Sequence, residues 1–240
     1  MTDSNILRAI IQAGGIGARL RPYTTVVPKP LMPVGNMPIL EIVLRQLVVS
    51  GFRRATITVG HLAHLIQAFF GDGSKFGLEV DYVIEDEPLG TIGALSRISD
   101  LIDPFLVMNG DLLTDLDYRK FFDSHLDSGS MMTVSVFSKD VPISLGVIDF
   151  DENHGITGFA EKPVKQFWVS MGIYAMQPSM LRYIPAETCF GFDDLMALVL
   201  REKLPVHVAP HKGLWLDIGR QEDYEEASRV FEEYRHRFRI

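Results

Sequence analysis

Ile6-Leu7-Arg8-Ala9-Ile10-Ile11-Gln12-Ala13-Gly14-Gly15-Ile16-Gly17-Ala18-Arg19-Leu20-Arg21-Pro22 is the stretch that decides the fold. Its first six residues are nearly all apolar, as a strand buried on both faces of a parallel sheet must be. Three glycines follow almost at once. Glycine lets backbone approach a ligand closely and turn its N–H groups toward phosphate oxygens, and Arg19 and Arg21 place cations beside them. Two familiar phosphate loops do not fit. A G-x-G-x-x-G fingerprint needs glycine three places after Gly17, where Leu20 stands, and a P-loop needs a Gly-Lys-Ser/Thr ending that is missing here. The loop is therefore a phosphate binder of another type, or an ordinary strand-to-helix turn with two surface arginines.

Beyond it, helical and strand-like patterns alternate. Residues 38–50 show helical spacing with Pro38 suited to the first turn, and Gly51 supplies a stop. Strands are predicted at 55–59, 80–84 and 105–108, with helices at 61–70, 91–98 and 117–126 between and after them. That order implies a parallel sheet with right-handed crossovers and ligands at the carboxyl ends of its strands. The second half changes character: 131–137, 147–150, 156–161 and 167–176 are strand-like and broken by turns, which predicts a mixed, partly antiparallel extension. Helices at 193–203 and 221–237 follow. The expectation is one α/β domain over 1–240, with a nucleotide-sized half (about 1–130) and an acceptor-sized half (about 131–240).

Composition narrows the function. With 240 residues, 47% apolar and 22% charged, the chain is neither a disordered polymer nor a small disulfide-framed module. About 70–75% of the unfolded surface can be buried at this length. The net charge of −8, from 23 basic and 31 acidic residues, argues against nucleic acid as a partner. Cys189 is the single cysteine, so no internal disulfide can form, which fits a reducing compartment. Residues 1–8 are polar and lack the apolar core of a signal peptide, and no run of 18 apolar residues exists to span a membrane. A cytoplasmic enzyme with no membrane partner is expected.

A second block sharpens the glycine loop. Val27-Pro28-Lys29-Pro30-Leu31-Met32-Pro33-Val34 sets a lysine between prolines, which stiffen the segment and lower the entropy cost of placing an ammonium on a phosphate. The stretch from Ile11 to Ile39 resembles the signature of the sugar-1-phosphate nucleotidyltransferases, or NDP-sugar pyrophosphorylases. The resemblance continues through Glu85-Asp86-Glu87-Pro88-Leu89-Gly90-Thr91, Asn109-Gly110-Asp111, Phe159-Ala160-Glu161-Lys162-Pro163, Gly172-Ile173-Tyr174 and Trp215-Leu216-Asp217-Ile218-Gly219. It implies a Rossmann-like nucleotidyltransferase fold, a mostly parallel central sheet flanked by helices, with a mixed-strand sugar-binding extension. The C-terminal β-helix carried by some members is not expected in this chain.

What the resemblance implies chemically is sugar 1-phosphate plus nucleoside triphosphate giving nucleotide sugar plus pyrophosphate, with Mg²⁺ as cofactor. Asp111, at the end of the fourth predicted strand, and Asp217 correspond to the metal pair; taken alone, Asp111 could equally be a turn or cap residue. Arg19 resembles the arginine that steadies the departing pyrophosphate and Lys29 the lysine at the triphosphate. Lys162 resembles the lysine that holds the sugar phosphate, and Glu161 the acceptor of sugar hydroxyls. Gln12, Ala13, Gly14, Gly15, Gly17, Pro88, Gly90 and Thr91 complete the implied nucleotide site. Asn109, Gly146, Ser170 and Gly172 complete the sugar-phosphate site. Three positions depart from the family pattern: Ala18 for a usual Thr, Gln12 for an aliphatic residue and Ser170 for Asn.

The base follows from hydrogen-bond chemistry. Relatives using thymine or uracil carry glutamine five places before a glycine; here Glu85 precedes Gly90 at that spacing. A carboxylate only accepts, which mismatches a pyrimidine carbonyl and suits the adjacent N–H donors of guanine. GTP is the favoured nucleotide, and the 85–93 block resembles the mannose- and heptose-1-phosphate guanylyltransferase branch. The competing expectations are uridylyl or thymidylyl transfer, Glu85 pointing to solvent while backbone selects the base, and a non-catalytic nucleotide-sugar-binding regulator. Elsewhere, His61 and His64 are expected as surface histidines, Asp115 and Asp117 as helix caps, and Phe167, Trp168 and Tyr174 as strand core. Arg235, His236, Arg237 and Arg239 are expected to form a solvated helix end or a contact in a possible homo-oligomer.

Overall fold

The computed structural model describes residues 6–240; the polar stretch ahead of Ile6 lies outside the described residues. Strand Arg8–Ala13 lies inside a seven-stranded sheet, parallel to Arg54–Val59 on one side and Phe105–Asn109 on the other. Glu79–Ile84 continues the parallel run beyond Arg54–Val59. These are the four strands that the alternation predicts. The first begins at Arg8, because Ile6 is exposed.

Past Phe105–Asn109 the sheet turns mixed. Val164–Met176 pairs antiparallel with both Phe105–Asn109 and Met132–Pro142. Val206–His211, a strand that no pattern announced, closes the edge parallel to Met132–Pro142. Its Pro210 is admissible because an edge strand tolerates a missing N–H donor. Both halves of the chain thus share one sheet.

Alternate side chains send two cores to opposite faces. Ile11, Ile57 and Met108 pack with Leu40, Leu44 and Phe122 from helices Ile39–Val49 and Tyr118–Ser128. Ile10 and Val107 pack with Ile92, Leu95 and Leu195 on the other side. Pro38 sits just outside its helix as the N-cap. Helix Ala63–Phe70 starts later than predicted because Leu62 is left-handed, at φ 55°. The 91–98 prediction resolves into one α-turn, Gly90–Gly93, and a 3₁₀ turn, Ala94–Arg97. The last two helices are Phe192–Glu202 and Gln221–Tyr234. No helix among the described residues is long and apolar enough to cross a membrane.

Of three two-stranded sheets beside the large one, two matter for the site. Leu112–Thr114 pairs antiparallel with Trp215–Asp217, and Val147–Phe150 pairs with Ile156–Ala160 in a projecting arm. The arm corrects one expectation: Phe167 and Trp168, at the outer end of their strand, are 50% and 56% exposed. Only Tyr174, farther in, is core, stacked 4.4 Å from Phe192.

Candidate active site

Strands Arg8–Ala13 and Phe105–Asn109 end side by side, and their carboxyl ends open into a two-part cleft. One part, about 270 Å³, is lined by Gly15, Arg19, Lys29 and Asp111 among others. The other, about 490 Å³, runs from Glu85, Pro88, Gly90 and Thr91 to Asn109 and Asp111. Gln12, Gly15, Gly17, Ala18 and Asp111 line both parts, while Ala13 lines the first and Gly14 the second. Such volumes are ordinary for a small-molecule site. Gly17 takes φ 65° to start the Ala18–Leu20 turn, and the Thr24 hydroxyl donates to its carbonyl at 2.8 Å.

At the first end sit the charged groups. Lys29, fixed on the 3₁₀ turn Lys29–Leu31, pairs its Nζ with Asp111 Oδ2. Asp111 Oδ1 is buried without a hydrogen-bond partner. The small sheet brings Asp217 in from the far end of the sequence: Asp217 stands opposite Leu112, and the Ile218 N–H donates to the Asp111 carbonyl at 3.2 Å. Asp217 is exposed and is not among the residues lining either part of the cleft, yet its carboxyl is partly buried within reach of the charges of Asp111, Lys29 and Arg19. That partial burial, then the Asp111 carboxylate, pushes its pKa up against the pull of Lys29 and Arg19. The Arg19 guanidinium lies against Gly219, where a Cβ would fall 3.1 Å from Nη2.

An orphaned buried carboxylate oxygen beside a second, electrostatically disfavoured carboxylate fits a hard divalent cation. Mg²⁺ needs only one or two protein carboxylates and keeps water and phosphate oxygens as its other ligands. No group of three or more His, Cys, Asp or Glu able to hold a metal occurs among the described residues. His61 instead contacts the Thr24 carbonyl at 3.1 Å, and His64 is exposed.

At the other end, Glu85 does not swing into solvent. Its Oε2 accepts the Leu89 N–H at 3.0 Å. Its Oε1 lies over Gly14, where a Cβ would approach to 2.7 Å, so a side chain there would push the Glu85 carboxylate aside. Leu89 and Thr91 are in turn tied to Phe190 and Phe192: the Phe190 N–H donates to the Leu89 carbonyl at 2.8 Å and the Phe192 N–H to Thr91 Oγ1 at 3.0 Å. On the cleft floor Thr58 Oγ1 donates to Gln12 Oε1 at 3.0 Å, leaving Gln12 Nε2 buried and unpaired. Thr58 had no sequence signal beyond its place in a strand.

The sugar-site candidates divide. Asn109 lines the cleft and rests on Gly172, whose φ of 73° interrupts the ladder between Ser170 and Tyr174. Ser170 Oγ lies 3.2 Å from the Tyr174 hydroxyl. Gly146, Glu161 and Lys162 are exposed on the arm, with Gly146 against Glu161, and none of the three lines the cleft.

One expectation for a neighbouring residue is corrected. Asp117 caps helix Tyr118–Ser128 through the Lys120 N–H, but Asp115 caps nothing and accepts from His211 and Leu214 instead. Arg235, His236 and Arg239 are exposed, as a solvated helix end would be, and Arg237 and Arg239 in addition pair with Asp115 and Asp117.

Known proteins resemble this chain in sequence and fold. A family model described as nucleotidyl transferase matches residues 8–233. A UTP–glucose-1-phosphate uridylyltransferase of Synechocystis is 33% identical over 93% of this chain and 63% of its own length. A mannose-1-phosphate guanylyltransferase catalytic subunit beta of Drosophila pseudoobscura is 32% identical over 93% of this chain and 62% of its own. The chain therefore spans a little over three fifths of these relatives. Among solved structures, HddC of Yersinia pseudotuberculosis complexed with GMP-PN superposes with a TM-score of 0.74 at 27% identity, covering 94% of this chain and all of that one. The match runs from the strand ahead of the glycine loop to the helix after Asp217, and the chain belongs to the nucleotidyl transferase family.

Proposed function

We propose that the protein is an Mg²⁺-dependent sugar-1-phosphate guanylyltransferase, converting GTP and a sugar 1-phosphate to a GDP-sugar and pyrophosphate. The observation that carries the reading is the unpartnered Asp111 Oδ1 beside Asp217 and Lys29 in a glycine-walled cleft. A phosphate monoester has a second pKa near 6, so the acceptor reaches the site mostly as a dianion. One of its oxygens bonds to the α-phosphorus in line, while the bond to the bridging oxygen of the β-phosphate breaks and pyrophosphate leaves. No proton has to be removed, so no general base is required. Alignment and relief of anion–anion repulsion do the work.

The chain's residues supply both. N–H groups of Gly14, Gly15 and Gly17, with Lys29 and Arg19, cradle the triphosphate, and Arg19 steadies the departing pyrophosphate. Asp111 and Asp217 would hold Mg²⁺, which when bound neutralises charge on the phosphates. On the arm, Lys162 holds the sugar phosphate and Glu161 accepts from sugar hydroxyls, with Gly146 and Gly172 allowing close approach. Asn109 and Ser170 complete that side. At the base end Glu85, pinned by the Leu89 N–H and laid over Gly14, accepts from guanine; Pro88, Gly90 and Thr91 form the wall. A reducing, cytoplasmic setting fits the single cysteine.

Uridylyl transfer is the second reading, favoured by the likeness to the uridylyltransferase of Synechocystis. Pyrophosphate release with Mg²⁺ separates the two, using GTP, UTP, dTTP, CTP and ATP against mannose, glucose and heptose 1-phosphates. The GTP lanes are expected to give the signal. A UTP or dTTP signal keeps the transfer and discards the role of Glu85, and silence across the panel in folded protein overturns the activity.

A further inference from the structure

The two strands that bring Asp111 and Asp217 together have three residues each and stand apart from the seven-stranded sheet. So short a two-stranded ladder does not hold itself. Its support lies at the end away from the carboxylates, where Asp115 follows Thr114. Asp115 Oδ1 accepts the Leu214 N–H at 2.7 Å and contacts His211 Nε2 at 2.8 Å. The Leu214 carbonyl accepts from the Asp115 N–H at 3.2 Å and from Thr114 Oγ1 at 2.7 Å. Leu214, which feeds the Asp217 strand, is thus fastened through both of its backbone groups.

The other oxygen, Asp115 Oδ2, pairs with Arg237 Nη2 at 2.5 Å, and two residues on Arg239 Nη1 pairs with Asp117 Oδ2 at 2.7 Å. Between the two arginines Phe238 is fully buried, and its carbonyl accepts from Gln46 Nε2 at 2.9 Å. The same amide donates to the Thr114 carbonyl at 2.7 Å. Three consecutive C-terminal residues therefore grip the segment that runs on from Asp111. The Asp115 side chain is only 9% exposed, and a buried ion pair is a weak source of stability when apolar packing would serve as well. What it supplies is fixed geometry. None of Asp115, His211 or Arg237 lines the cleft.

We propose that Asp115, clamped between His211 and Arg237, is the positioning residue that sets the spacing of Asp111 and Asp217; this rests on the metal reading above. The clamp acts through the backbone of the small ladder and touches neither substrate nor cation. Mn²⁺ alone, titrated by electron paramagnetic resonance without nucleotide, tests it. Arg237→Gln and Asp115→Asn are expected to weaken Mn²⁺ binding about 10-fold, the lower range for groups that orient metal ligands, and Arg237→Lys to restore most of it. Hydrogen exchange at the Ile218 amide should quicken in parallel.

Unchanged Mn²⁺ affinity in folded Arg237→Gln overturns the proposal. Should Asp115→Asn fail to fold, Arg237→Gln decides alone, since that side chain is partly exposed and its loss removes one ion pair and a peripheral contact over the Tyr234 ring. Asp217→Asn is the control for the underlying reading. If wild-type protein binds no Mn²⁺, or binds it equally after Asp217→Asn, the metal reading fails and takes the clamp's purpose with it.

Discussion

The two ends of the cleft are built in opposite ways. Four chain segments far apart in sequence meet at the phosphate end: the glycine loop, the turn bearing Lys29, the strand end at Asp111 and the short strand ending at Asp217. The base end adds to the shared glycine loop and the strand end at Asn109 a single further segment, residues 85–91, with Asp86, Glu87 and Pro88 exposed and the Glu85 side chain anchored through one backbone N–H. A site assembled from four segments changes only if all four stay in register. A loop changes with one substitution. Relatives named for uridylyl and guanylyl transfer stand at 33% and 32% identity to this chain, so overall likeness does not choose between the bases.

If that contrast is right, the largest effect belongs to Asp111. Asp111→Asn keeps the shape of the side chain and strips half of the carboxylate pair, so the protein folds while turnover falls about 10³-fold or more. That is the several kcal/mol of charge stabilisation expected of a bound metal, at roughly 1.4 kcal/mol per decade. A stopped assay of pyrophosphate release checks it, and a loss under tenfold breaks the contrast at its stronger end.

Next in size is the arm, which the structure sets apart from both cleft ends. Lys162 is exposed, in left-handed backbone at φ 46°, and lines no part of the cleft. If it holds the sugar phosphate, Lys162→Ala raises the KM for sugar 1-phosphate about 10- to 100-fold, the worth of a hydrogen bond to a charged group, and leaves the KM for nucleotide alone. Equal rises in both constants would place Lys162 with the triphosphate instead.

The same division governs what could be read from the residues. The strand at Arg8–Ala13, its glycine loop and Lys29 are legible because their signals are local: an apolar run, glycines, prolines around a cation. Asp111 is legible from its place at a strand end. Its meeting with Asp217 rests on a three-residue pairing between segments about a hundred residues apart, which no periodicity announces. Asp115 looks like a cap because Asp-Leu-Asp precedes a helix, yet only Asp117 has the position to accept the Lys120 N–H. Phe167 and Trp168 look like core because aromatic strands usually are, but at that point their strand pairs only with Met132–Pro142, past the end of its pairing with Phe105–Asn109, and both side chains stay exposed.

The smallest predicted effect is the most discriminating. Glu85→Gln replaces an acceptor pair with one acceptor and one donor. The Leu89 N–H can still be accepted by the amide oxygen, so the loop and the stability stay as they are. Against guanine the new N–H faces a donor; against uracil or thymine it finds a carbonyl. The ratio of kcat/KM for GTP to that for UTP is therefore expected to fall about 10-fold, or roughly 1.4 kcal/mol, with Mg²⁺ dependence unchanged. A nucleotide panel on the variant measures it directly. An unaltered ratio would take Glu85 out of base reading and hand selection to backbone groups of the 88–91 wall. A lost Mg²⁺ dependence would mean that the two ends of the cleft are coupled after all, and that one loop cannot be exchanged without disturbing the chemistry.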